Sequence, residues 1–204
     1  MKKIDLKKEY KEQFKASQKE PAVITIPKSN YLCLSGKGDP ASAEFKQAIE
    51  ALFSVSYTIK FTIKKGPKAI DYGVLPLEGL WWVENMADFD INNKSNWLWT
   101  AMIMQPEFIT QEMITEAIDQ VQKKKGLPQL DQLKFEPIDE GLSVQVLHIG
   151  PFKDEGPTVE RLHEYMKEND YNFNGHHHEI YLSDFRRTAP EKLKTIIRQP
   201  VKVA

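Results

Sequence analysis

The hydrophobic period changes twice in the first half of this chain, and few folds accept that order. Ala22 to Ser35 alternates and is rich in β-formers, broken only at Pro27-Lys28-Ser29-Asn30. It reads as two strand pieces. After the loop Gly36-Lys37-Gly38-Asp39-Pro40, the residues Phe45, Ile49, Leu52, Ser56, Ile59 and Ile63 recur at spacings of three and four. That stripe predicts one long helix from Ala41, ended by Gly66-Pro67. Its second half, Val55 to Ile63, is β-branched and competes for a strand; the stripe decides for helix. Pro76 to Val83 and Trp97 to Gln105 then return to strand character, joined by a polar connection around Asp88–Ser95.

A similar order comes round again. Leu142 to Ile149 reads as a strand, Gly150-Pro151 turns it, and Val159, Leu162 and Met166 mark the next helix. A short strand from His177 to Leu182 follows. Between the two halves, Thr110 to Lys125 carries the stripe Ile114, Ala117, Ile118 and Val121. Lys123 to Lys125 close that helix where its dipole favours cations, and Gly126 suits its C-cap. Ile4 to Lys15 predicts a short amphipathic helix with Tyr10 and Phe14 on one face. Thr188-Ala189-Pro190-Glu191 has capping-box spacing, which predicts a last helix presenting Leu193, Ile196 and Ile197 to the core. The expected class is α+β, a tandem pair of β-α-β-β units, although residue identity between the halves is low.

Composition excludes several functions. A net charge of −1 over 204 residues gives no electrostatic case for nucleic acid. Cys33 is the single cysteine, so neither an intrachain disulfide nor a cysteine-built zinc site is expected. The start of the chain is basic without the apolar centre of a leader, and no run approaches a membrane span. A cytoplasmic protein is the expectation.

Glu179 is the residue that asks for a function. It stands in His176-His177-His178-Glu179-Ile180-Tyr181-Leu182, and Glu is depleted from strands. Alternation puts Ile180 and Leu182 on a core face, with His177, Glu179 and Tyr181 on the other. That second face reads either as a solvated edge or as a carboxylate at the floor of an apolar site, where Glu179 would serve as a counter-charge or as a base. Trp81 and Trp82 point to opposite faces, whereas Trp97 and Trp99 share one. They are either core or the aromatic walls of a small-molecule site. In the histidine run only His176 and His178 converge, too few for a metal, and a solvated junction is expected there. Arg186-Arg187 reads as surface salt bridging. Gly36-x-Gly38 lacks the spacing of a phosphate loop.

The run from His178-Glu179-Ile180-Tyr181-Leu182-Ser183-Asp184 through Arg186-Arg187-Thr188-Ala189-Pro190-Glu191 to Gln199-Pro200-Val201 resembles the GyrI-like small-molecule-binding family. So do Leu77-Glu78-Gly79-Leu80-Trp81-Trp82 and Trp97-Leu98-Trp99-Thr100-Ala101-Met102-Ile103-Met104-Gln105-Pro106. The resemblance runs from about Tyr31 onward. It implies one domain over 1–204, with a first module at 20–106, a connecting helix at 107–126 and a second module at 135–204. It also implies a pseudo-two-fold axis through a central ligand cleft, with Glu179 at its floor.

The stand-alone, Trp-rich bacterial branch is similar to enzymes that hydrolyse the cyclopropyl ring of cyclopropanoid DNA-alkylating compounds. By that resemblance the catalytic candidates are Glu179, Tyr181 and Tyr57, and the ligand-binding candidates are Trp81, Trp82, Trp97, Trp99 and His177. The expected partners are planar hydrophobic small molecules, with no nucleic acid, membrane, metal or cofactor, and a monomer or weak homodimer. Non-catalytic multidrug binding is the alternative. Phe185 stands where many members carry proline, a departure confined to the loop.

Overall fold

The structure is a computed structural model and describes residues 2–85 and 93–204. The expected connection around Asp88–Ser95 lies largely outside these residues. In chain order the elements are β1 (Lys2–Ile4), α1 (Leu6–Glu9), β2 (Ala22–Ile26), β3 (Ser29–Lys37) and α2 (Ala43–Lys65). Next come β4 (Ile70–Tyr72), β5 (Leu77–Trp82), β6 (Leu98–Gln105) and α3 (Gln111–Lys125). The chain ends with β7 (Lys134–Ile138), β8 (Gly141–Ile149), α4 (Gly156–Glu168), β9 (Tyr171–Phe173), β10 (His177–Tyr181) and β11 (Lys194–Val203). This is a mixed α and β protein built on antiparallel sheet. No described helix is long and apolar enough to cross a membrane.

The chain forms two compact units, each made of separated segments. The first holds Met1–Glu9, Ser29–Leu77 and Trp82–Ile138. There β3 pairs antiparallel with β6 and with β7, and β1 pairs parallel with β4. Ser42 caps α2, its Oγ accepting from the Phe45 N–H at 3.2 Å. All six stripe residues of α2, Phe45 to Ile63, are buried, so the helical period outweighed the β-branched run. Thr110 caps α3, and Gly126 closes it in the left-handed region at φ 61°, a conformation glycine enters without steric cost.

The second unit holds Tyr10–Lys28, Glu78–Trp81 and Asp139–Ala204. Its sheet runs β2, β8, β11, β10 and the Glu78–Trp81 part of β5. Val144, Val146, Ile197 and Val201 on one sheet face pack under Leu162 and Met166 of α4. β10 lies antiparallel to β11 with Glu179 opposite Ile197 and Tyr181 opposite Thr195. Opposite residues share a face, so Glu179 and Tyr181 lie on the face that α4 covers.

Two expected helices are corrected. The last predicted helix is β11, a strand between β8 and β10. Only Pro190–Lys192 makes a single 3-10 turn where the capping box stands. Thr195 to Val201 are all buried, and a strand buried on both faces loses the alternation that would have identified it. The helix expected over Ile4 to Lys15 shrinks to Leu6–Glu9. Ile4 is taken by β1, and Gln13 and Phe14 close short turns onto Tyr10 and Lys11.

Gly36 shows how tightly the first unit is packed. A Cβ there would run into the Trp99 ring and come 2.8 Å from Glu44 Oε1. Trp99 in turn meets Phe45 edge-on at 4.9 Å. Gly36→Ala should therefore lower unfolding stability by about 1–3 kcal/mol, the usual cost of overpacking. Urea denaturation followed by tryptophan fluorescence measures it, and an unchanged midpoint contradicts the packing argument.

Candidate functional site

β10 alternates as its sequence predicts, with His178 and Ile180 buried and His177, Glu179 and Tyr181 half-buried. On the α4 face the polar atoms join into one chain. Trp81 Nε1–H donates to Tyr181 Oη at 3.1 Å. The Tyr181 hydroxyl donates to Glu179 Oε2 at 2.9 Å. His177 Nε2 lies 3.2 Å from Glu179 Oε1, and an acceptor there assigns the proton to Nε2. The Glu179 side chain is 16% exposed, within reach of solvent yet held at both oxygens. Burial first, and the Glu179 carboxylate second, push the Tyr181 phenol well above its ordinary value, so it stays a donor. Gly79 makes this possible. A Cβ there would sit 2.8 Å from Trp81 Nε1 and 3.0 Å from Tyr181 Oη.

The other face of β10 carries a buried ion chain. His178 Nδ1 bonds Glu140 Oε1 at 2.8 Å, and His178 Nε2 lies 2.9 Å from Glu78 Oε2. Arg198 Nη1 donates to Glu140 Oε2 at 3.1 Å, and its other nitrogens reach Gln145 Oε1 and the Gln13 carbonyl. All four ionisable side chains are buried. Glu78 Oε1 has no hydrogen-bond partner among the described residues. Burial alone would push the His178 imidazole down, but Glu140 and Glu78 overcome it and hold it up at about 9. Burial would raise the Glu140 carboxyl, but His178 and Arg198 hold it down at about 2. The solvated junction expected at the histidine run is therefore corrected at His178, which is fully buried as an imidazolium.

The sequence-predicted residues divide between the units. Glu179, Tyr181, His177 and Trp81 come together in the second. Trp82, Trp97, Trp99 and Tyr57 belong to the first. Trp99 is 1% exposed and fills the core beside Phe45, which corrects its assignment to a ligand wall. Trp97 precedes β6, half-buried, with Lys94 Nζ over its ring at 4.9 Å. Tyr57 is 45% exposed on α2, stacked between Phe53 and Phe61 at 6.1 and 6.3 Å.

Sequence reasoning missed Glu78, Glu140 and Arg198. The signal that singled out Glu179, an ionisable residue inside a strand run, also stands at Glu78; Arg198 is hidden by the helical reading of its segment. Among the described residues no group of His, Cys, Asp and Glu is arranged to hold a metal. A separate cavity of about 270 Å³, lined in part by His163, Lys167, Asp170 and Phe173, includes none of Glu179, Tyr181 and Trp81. At Glu179, by contrast, a phenol and an imidazole converge on one carboxylate.

The profile of the GyrI-like small molecule binding domain matches residues 19–202. Among curated proteins none matches the chain. Among solved structures, an uncharacterized conserved protein from Listeria innocua is 39% identical, with 98% of this chain and 100% of that one covered at a TM-score of 0.90. Two Listeria innocua proteins described as hydrolases are 38% and 37% identical. Each comparison covers 98% of this chain and 100% of the other, with TM-scores of 0.88 and 0.85.

The ion chain predicts a pH profile. His178 is raised from 6.5 to about 9, so its contribution to stability is whole below pH 6.5 and is lost as pH climbs through 9. Glu140 is lowered from 4.5 to about 2, so its contribution is whole above pH 4.5 and is lost as pH falls through 2. Chemical denaturation should show the wild type losing stability between pH 6.5 and 9, a slope that His178→Gln flattens. Arg198→Met takes one of its two cations from the buried Glu140 carboxylate and should cost about 3–5 kcal/mol at neutral pH. A parallel pH slope in His178→Gln would show that His178 is not charged in the folded protein.

Proposed function

Because the chain belongs to the GyrI-like small-molecule-binding family, we propose that it binds flat hydrophobic compounds beside Glu179 and adds water to strained electrophilic ones. The observation that carries this is the Trp81–Tyr181–Glu179–His177 chain. It fixes a carboxylate at both oxygens without consuming it. A carboxylate offers about four lone-pair positions, and His177 and Tyr181 engage one on each oxygen. The free positions can accept a water proton. The two Listeria innocua relatives described as hydrolases support a hydrolytic reading. The β3-to-α2 and β8-to-α4 progressions support reading it as two β-α-β-β modules.

The substrate class is a cyclopropane conjugated to a carbonyl, as in cyclopropanoid alkylating agents. Glu179 takes a proton from the attacking water, and the water oxygen bonds to the cyclopropane methylene. The ring C–C bond breaks, and its electron pair passes through the conjugated system to the carbonyl oxygen. Tyr181, kept protonated by its surroundings, gives its proton to that oxygen and recovers the one held by Glu179. Trp81 Nε1–H stabilises the Tyr181 oxygen while its proton is away. One water is added and nothing is oxidised or reduced. Removing an alkylating electrophile in this way would protect the cell.

The test is incubation with a spirocyclopropyl dienone, with the product read by mass spectrometry. The expected product is heavier by one water, and Glu179→Gln should slow turnover by about 10²–10⁴, the usual worth of a general base. Equal rates in wild type and variant remove Glu179 from the chemistry. Compound recovered unchanged from a complex with wild type leaves the non-catalytic binding reading in its place.

A further inference from the structure

Beside the Glu179 site, two large aromatic side chains stay in solvent. Phe152 is 41% exposed and Phe185 is 38% exposed. Phe152 meets the Tyr181 ring edge-on at 5.6 Å, and Phe185 meets Phe152 at 6.2 Å. The three rings form a continuous file from the phenol that bonds Glu179 out to the surface. Nothing in their local sequence demands it. Phe152 sits in the 3-10 turn Phe152–Asp154 after Gly150-Pro151, and Phe185 lies in the connection after β10.

Both positions are held firmly. The Asp184 carboxylate accepts from Arg186 Nε at 2.9 Å and Nη2 at 3.0 Å, while the Asp184 carbonyl accepts from the Arg187 and Thr188 N–H groups. Gly150 N–H is bonded to the Leu193 carbonyl, and Glu155 and Asp154 N–H close the Phe152 turn. An exposed phenyl on a fixed turn costs little order on binding a flat partner, which is how rigid aromatic anchors contribute affinity.

We infer that Phe152 and Phe185, whose rings stand 69° apart, are the specificity-determining wall of this site, contacting by ring face and ring edge the part of a flat polycyclic ligand that lies remote from the reacting ring. This rests on the proposed hydrolytic reading and extends it to substrate size. The file selects a ligand at least two fused or linked aryl rings long, with the electrophile at the Tyr181 end and the unreactive arm along Phe152 and Phe185. Binding energy from such an arm is what holds the strained carbon at Glu179. The departure at Phe185, placed by sequence in a passive loop, belongs to this recognition surface.

The experiment compares two dienones, one minimal and one extended by an aryl-fused arm, in wild type, Phe152→Ala, Phe185→Ala and the shape test Phe152→Leu. Each alanine variant should reduce the kcat/KM preference for the extended substrate about tenfold, carried by KM. Phe152→Leu, which keeps bulk but not planarity, should fall between. In parallel, calorimetry follows binding of the extended arm alone, a non-electrophilic fused aromatic, to each protein. Loss of binding in the alanine variants supports the wall even if no dienone is hydrolysed, which would sink only the hydrolytic reading. An unchanged preference together with unchanged arm binding overturns the inference while leaving hydrolysis standing. Wild type that neither binds the arm nor turns over either dienone overturns both.

Discussion

The pairing of His178 with Arg198 across β10 and β11 is the constraint on which the candidate site depends. The two residues share Glu140, and His178 also meets Glu78 on β5. A strand has a period of two, so a one-residue slip of β10 would turn Glu179 toward the ion chain and His178 toward α4. That slip would bury an imidazolium without its carboxylates and Arg198 without its acceptors. Separating buried charges from their partners costs several kcal/mol, which leaves one register. The ion chain adds little to net stability beyond what a well-packed apolar core supplies. Its worth lies in fixing which side of the strand Glu179 occupies.

The same strand thus keeps two carboxylate environments apart. Glu140 faces two cations in the interior and stays ionised to low pH. Glu179 faces a phenol and an imidazole, with a path to solvent. Both are glutamates in or beside strands of one unit, yet one is saturated by its partners and the other keeps acceptor capacity. The difference follows from neighbours rather than residue type, and it is why the proposed chemistry is assigned to Glu179. Gly79 serves this arrangement from β5, since a larger residue would part Trp81 from Tyr181.

Much of the fold could be read from periodicity. The stripe on α2, the C-cap of α3 and the alternation of β10 each appear where spacing put them. The misreadings share a cause. β11 carries Ile196-Ile197-Arg198-Gln199, whose mixture looks amphipathic along a helix. Arg198 is buried by partners from β8 and from the Gln13 segment, and Gln199 donates to the Gly175 and Pro200 carbonyls; no local pattern reveals such partners. Trp99 misled for a similar reason. Its chemistry suits a ligand wall, but the space left by Gly36 draws it into the core.

The sequence by itself determined that Glu179, Tyr181 and His177 share one face of a short strand, because alternation is a property of the backbone. It also determined the family, through runs near both Trp81 and Glu179. Only the tertiary structure decided that Trp81 joins that face and that Phe152 meets the Tyr181 ring. The same holds for His178, an interior cation rather than a surface histidine. These facts depend on which residues from distant segments meet, and such meetings are set by burial and pairing across the whole unit rather than by any local spacing.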